Sequence, residues 1–148
     1  MELNGKILVS SCLLGKKCRY NGQHASNPEL IEKLKEEQVI DCCPEIMAGL
    51  PTPRPSCNIN GGTGIDVFKG TAKVIGDDGK DYTQKFIEGA KLALQKALDN
   101  KVAKAILKKN SPSCGYGNVY VENGTKIADG NGVLAELLKQ NGIDIESL

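Results

Sequence analysis

The run Lys6-Ile7-Leu8-Val9-Ser10-Ser11-Cys12 decides how the rest of the chain is read. Its apolar centre shows no alternation of polar and apolar positions, which marks a strand covered on both faces, as in a parallel sheet. The strand runs without a linker into a cysteine. Outward from it the arrangement recurs twice. Gln38-Val39-Ile40-Asp41 leads into Cys42-Cys43-Pro44-Glu45, and Ala103-Lys104-Ala105-Ile106-Leu107 is followed by Lys108 to Ser111-Pro112-Ser113-Cys114-Gly115.

Helical signals separate these strands. Asn27-Pro28-Glu29 offers a cap residue, a proline at the first helical position and an acid in the first turn, and predicts a helix to about Glu37. Thr83 caps a longer one through Asn100, whose apolar face carries Phe86, Ile87, Ala90, Leu94, Ala97 and Leu98. A helix from Gly132 to Gln140 and a strand Ile143-Asp144-Ile145 follow. The pattern predicts an α/β fold: one domain over 1–148, a three-layer, mostly parallel Rossmann-like sheet with helices on both faces. Ligands of such sheets bind beyond the carboxyl ends of the strands, where strand order reverses. If the three strands are parallel neighbours, Cys12, Cys43 and Cys114 share one pocket.

Between the second strand and the long helix the chain changes character. Pro44, Pro51, Pro53 and Pro55, with Gly49, Gly61, Gly62 and Gly64, argue against a central element and for a functional loop. Ile65 to Phe68 and Thr71 to Ile75 alternate and predict a small antiparallel excursion turned by Asp77-Asp78-Gly79, and a further hairpin is expected from Gly117 to Gly124.

Charge and composition narrow the function classes. Nineteen basic and eighteen acidic side chains give no global field toward nucleic acid or anionic lipid. No apolar run approaches a membrane span, and Met1 to Lys6 lacks the features of a secretory leader, so a cytoplasmic protein is expected. Six cysteines in such a setting favour metal or thiol chemistry over disulfides. There is no Cys-x-x-Cys pair and one histidine, His24, so the usual local zinc and thioredoxin patterns are missing. Three convergent thiolates still leave zinc, an iron–sulfur cluster and a reactive thiol open.

The segments Ser10-Ser11-Cys12-Leu13-Leu14-Gly15 with Cys18-Arg19-Tyr20-Asn21-Gly22, Cys43-Pro44-Glu45 with Gly49-Leu50-Pro51-Thr52-Pro53-Arg54-Pro55, and Ser111-Pro112-Ser113-Cys114-Gly115 resemble one family. It is the bacterial domain-of-unknown-function family that includes 2-thiouracil desulfidase. The resemblance spans nearly the whole chain. It implies a 4Fe-4S cluster held by Cys12, Cys43 and Cys114, with one iron free of cysteine to take a substrate sulfur, and a cluster that preparation in air can strip. It further implies a catalytic acid at Glu45 and an active-pocket serine at Ser111. The implied reaction is hydrolytic: a thiocarbonyl becomes a carbonyl and sulfide leaves. A small thiolated heterocycle is the expected substrate, with thiolated RNA also open, and the sequence is silent on oligomeric state. The alternatives from other classes are a non-catalytic metal- or ligand-binding module and a persulfide sulfur carrier on the same scaffold.

The remaining candidates have bland readings beside the functional ones. Cys42 should point away from the pocket if Cys43 points in, because side chains alternate along a strand. Cys57 gains no function from the resemblance, and Cys18 is divided evenly between a structural and a pocket role. His24 reads as a solvated loop residue, Gly61-Gly62-Thr63-Gly64 as a flexible turn and Lys108-Lys109 as solvated lysines. Arg19 and Arg54, the two arginines, either brace loops or hold a substrate group.

Overall fold

The computed structural model describes residues 5–122, 124 and 126–148; the leader reading of the N-terminus falls, up to residue 4, outside them. The strands are β1 (Ile7–Ser10), β2 (Val39–Cys42), β3 (Cys57–Asn60), β4 (Lys73–Gly76), β5 (Lys104–Leu107), β6 (Asn118–Val121), β7 (Lys126–Asp129) and β8 (Asp144–Ser147). The helices are α1 (Pro28–Lys33), α2 (Pro44–Met47), α3 (Gly64–Lys69), α4 (Thr83–Asp99) and α5 (Val133–Gln140).

One sheet has the order β2-β1-β5-β8 with every pair parallel. Its strands alternate between two apolar clusters. Leu8 joins the large cluster that includes Ala90, Ala93 and Ala97 of α4 and Leu134 and Leu138 of α5, while Ile7 and Val9 pack with Leu30 of α1 on the other side. This two-sided burial is why the first strand reads as a continuous apolar run. The order turns outward in both directions from the β1–β5 pair, so the reversal of strand order lies beside Cys12 and Cys114.

The antiparallel excursion is larger than expected. It belongs to a second, mixed sheet of order β4-β3-β6-β7, in which β3 and β6 run parallel and the outer strands antiparallel to them. Two readings of this region are corrected. Cys57–Asn60, placed in a loop on its proline and glycine surroundings, is a central strand, because Pro55 ends just before it and Gly61 starts just after it. Ile65–Phe68 is helical, not extended: the Thr63 amide donates to Asp66 Oδ2 at 2.9 Å, a helix-start bond that four residues of alternation do not reveal. A hairpin forms where one was expected over Gly117–Gly124 but extends further, as β6 and β7 to Asp129; positions 123 and 125 lie outside the described residues. The first helix ends at Lys33, and a 3-10 turn over Glu36–Gln38 leads into β2.

Two devices fix the loops that follow the strands. Asp41, beside the end of β2, accepts hydrogen bonds from Ser11 (3.0 Å) and from Lys16 on its carboxylate, while its backbone carbonyl accepts one from Lys96 of α4. Gly89 of α4 lets the carbonyl of Pro44 lie directly on the helix: a Cβ there would collide with the Pro44 oxygen and stand 2.8 Å from its carbonyl carbon. Gly89→Ala is therefore expected to destabilise the protein by about 1–3 kcal/mol through overpacking. That sign is opposite to the gain of about 0.8–1.0 kcal/mol that alanine brings to an unhindered helix position. Urea denaturation of the variant checks it, and the displaced α2 carries Glu45 with it.

Candidate active site

The first three parallel strands of the all-parallel sheet deliver their cysteines to one place. Cys12 lies in the 3-10 turn Ser11–Leu14 that follows β1, Cys43 is the residue between β2 and α2, and Cys114 closes the loop after β5. All three line a single cavity of about 540 Å3, together with Glu45 and Ser111. The second sheet forms the facing wall through Asn58 of β3 and Tyr120 of β6.

The Cys114 loop is rigidly built. Ser111 Oγ accepts the amides of Cys114 (2.8 Å) and Ser113 (3.2 Å), and the Ser111 carbonyl accepts the Gly115 amide at 2.8 Å. The loop carbonyls in turn receive the free amides at the start of α5: Pro112 from Val133 at 2.8 Å and Ser113 from Leu134 at 2.9 Å. Gly132 is required there, since a Cβ would stand 2.7 Å from the Pro112 oxygen. Ser111 thus has its lone pairs committed to the turn. Its hydroxyl proton is shared with Ser113 Oγ at 3.2 Å or free for the cavity.

Glu45 sits in the first turn of α2, where Pro44 opens the helix after an extended Cys43. Its Oε2 accepts Arg54 Nη2 at 3.2 Å and lies 3.6 Å from Cys43 Sγ. Its Oε1 is buried and has no hydrogen-bond partner among the described residues. Arg54 settles the choice left open for it. The side chain is 7% exposed and donates to the carbonyls of Cys18 (2.9 Å) and Pro51 (3.3 Å) and to Thr52 Oγ1 (3.2 Å) as well as to Glu45. Its own amide donates to the Tyr20 carbonyl at 2.8 Å, so it ties the proline-rich loop to the loop after Cys12. Arg19, by contrast, lies over the Tyr20 ring at 5.9 Å.

Removing the guanidinium leaves the Glu45 charge buried without its partner. Arg54→Met should cost about 3–5 kcal/mol, and Glu45→Gln combined with it should recover part of that loss because no unpaired charge remains. Thermal unfolding of the single and double variants reads both effects.

Five of the thiols, Cys18, Cys42, Cys43, Cys57 and Cys114, are raised above the ordinary thiol range. Burial, then the Glu45 carboxylate, pushes Cys114 up to about 12. Cys43 is raised by its hydrogen bond with Cys18, by burial and by Glu45. Cys18 is pushed up to about 11, first by its hydrogen bond to Cys12, against an opposing pull from Cys43. Cys42, raised by burial, belongs to the large apolar cluster and also lines the cavity, so strand alternation does not remove it from the pocket wall as expected. Cys57 lines the cavity, donates to the Pro55 carbonyl at 3.6 Å and is pushed up to about 12 by burial and Glu45. Lys108, read as solvated, is half-buried in the cavity wall, its ammonium destabilised by burial and by Arg19. His24 is exposed, away from the cavity, and accepts the Ser26 amide at 3.1 Å.

Among the described residues, no three His, Cys, Asp or Glu side chains are placed to hold a single metal ion. A multi-iron cluster asks for something different, because each thiolate binds its own iron and the sulfurs need not meet at one point. Two buried thiols, Cys12 and Cys114, and the half-buried Cys43 stand on three strand ends, with a carboxylate that opposes ionisation of Cys43 and Cys114; together they are a soft donor set that a cationic centre would draw to thiolate. The residues fit such a group.

A family model described as 2-thiouracil desulfurase matches residues 7–147. The Bacillus subtilis (strain 168) protein YbbK is 46% identical over 144 residues, covering 95% of this chain and 94% of its own. A solved structure of the 4Fe-4S-dependent thiouracil desulfidase TudS is similar at a TM-score of 0.80 and 36% identity, over 97% of this chain and 91% of that one. Among the described residues no helix is long and apolar enough to cross a membrane.

Proposed function

The chain belongs to the 2-thiouracil desulfurase family, and from that premise we propose that it is a cytoplasmic enzyme hydrolysing the C=S group of a thiolated pyrimidine to C=O. Water supplies the oxygen and sulfide leaves, with no net oxidation or reduction. The observation that carries this reading is the meeting of three strand-end thiols and a buried carboxylate with one unpartnered oxygen in one cavity. Cys12, Cys43 and Cys114 would hold a 4Fe-4S cluster, as the similar TudS depends on one. When bound, the cluster supplies a Lewis-acidic iron with an affinity for soft sulfur.

The chain's own groups do the proton work. Glu45 Oε2 is anchored by Arg54, so the carboxylate cannot turn away, and Oε1 is left to take a proton from water or give one to the departing sulfur. Ser111, an acceptor to two amides, has one proton to offer a substrate oxygen or the attacking water. The cavity volume suits a small heterocycle. We read the whole of 1–148 as one domain serving this site, with free thiolated bases as the first substrate class and thiolated RNA as the second.

The test is anaerobic reconstitution with iron and sulfide, followed by 2-thiouracil in oxygen-18 water. Labelled uracil and stoichiometric sulfide are expected. A colourless protein without acid-labile sulfide would sink the reading; a coloured but inactive one would leave a cluster-binding module. Thiolated RNA in a parallel reaction separates the two substrate classes.

A further inference from the structure

The second sheet's wall of the cavity carries a polar group that the proton work of Glu45 and Ser111 leaves unused. Asn58 of β3 is 6% exposed and lines the cavity. Its side-chain carboxamide makes no hydrogen bond among the described residues. The strand beneath it is fixed, pairing with β4 through Asn58 and Ile75 and with β6 through Ile59 and Val121. Ile59, the next residue, is fully buried in the large apolar cluster, and alternation along the strand turns Asn58 the other way, toward the cavity. Gly124 lies beside the amide without a side chain; a Cβ there would stand 3.7 Å from Oδ1 and 3.8 Å from Nδ2. A buried amide left unpaired is costly, and one at a cavity wall is placed to be paired by a ligand.

We propose that Asn58 is a substrate-recognition residue whose carboxamide reads the polar edge of the pyrimidine ring. This rests on the desulfurase reading of the cavity and adds to it the part of the substrate that is recognised. Cys12, Cys43 and Cys114 stand at strand ends of the first sheet and Asn58 on the second, so a ring whose thiocarbonyl turns to the thiols meets Asn58 with another of its edges. In 2-thiouracil that edge is N3–H with C4=O, and in the 4-thio isomer it is N3–H with C2=O. A carboxamide complements either: Oδ1 accepts the ring N–H and Nδ2 donates to the ring carbonyl. Two parallel hydrogen bonds also fix the rotation of the ring, and with it the direction of the thiocarbonyl. Glu45 and Arg54 are paired to each other and Ser111 is engaged by two amides, so none of them duplicates this pairing.

Uracil, 3-methyluracil and cytosine are compared as competitors of sulfide release from 2-thiouracil, and by direct calorimetric titration, on anaerobically reconstituted wild type, Asn58→Ala and Asn58→Asp. Wild type is expected to bind uracil roughly tenfold or more tighter than 3-methyluracil, whose methyl group replaces the N–H proton. Asn58→Ala should bind uracil roughly tenfold more weakly than wild type does, and 3-methyluracil to within about threefold of uracil. Asn58→Asp, of the same size, should move the preference roughly tenfold toward cytosine, because a carboxylate accepts from the cytosine amino group and repels the uracil carbonyl. Iron content and the far-ultraviolet spectrum should match wild type. Wild-type affinity with undiminished methyl discrimination in Asn58→Ala would overturn the proposal. So would an equal loss for all three bases in both variants, the mark of a residue that only shapes the wall. If Asn58→Ala does not fold, the cytosine shift in Asn58→Asp decides alone. Wild type that loads its cluster yet releases no sulfide ends the desulfurase reading, and the proposal with it, before any variant is compared.

Discussion

Cys114→Ser, reconstituted anaerobically, should retain little of the wild-type iron and show no measurable sulfide release from 2-thiouracil. Loss of a partner that merely orients a ligand costs about 10–100-fold in metal affinity or activity, so loss of a ligand should exceed about 100-fold. The fold should survive. Cys114 follows β5 in a loop whose shape depends on Ser111, Gly115 and the start of α5, none of which uses the sulfur. A far-ultraviolet spectrum matching wild type beside an iron assay near background is the expected pair of results. Full iron would remove Cys114 from the set.

Glu45→Gln should behave in the opposite way, keeping its iron while turnover falls. A positioned general acid or base contributes about 10²–10⁴-fold, and that is the expected loss. Glutamine keeps an oxygen that Arg54 can hold, so α2 and its neighbours should stay in place. What it loses is a site on the second oxygen for a moving proton. Single-turnover sulfide release, normalised to cluster content, measures the chemical step alone; an unchanged rate would take Glu45 out of the mechanism.

Much of this site is legible in the sequence because its key residues are local to strand ends. Ile7-Leu8-Val9 declares a doubly covered strand, the cysteine follows it at once, and the rules for parallel sheets bring the three cysteines together. The second sheet is less legible. Cys57–Asn60 is a central strand of only four residues between a proline and two glycines, and its partners, Lys73–Gly76 and Val121, lie across turns that local composition does not describe. Ile65–Phe68 fits a period of two and, over four residues, equally a single helical turn; Asp66, three residues after Thr63, was the signal that separates them. The partners of Arg54 and Cys18 were unreadable for another reason. Both depend on how two irregular loops cross, and no periodicity records that.

The strand order has a consequence for biosynthesis. Cys12 and Cys43 follow strands made early, but β5 sits between β1 and β8, and the amide of Leu148 reaches Leu107 at the end of β5 at 2.9 Å. The wall carrying Cys114 is complete only when residues 144–147 have left the ribosome and paired. At roughly 5–20 residues per second, the two early thiols wait for on the order of ten seconds without their third partner. On the proposed reading, delivery of iron and sulfide therefore follows the synthesis and pairing of β8, and the earlier thiols must stay reduced until then.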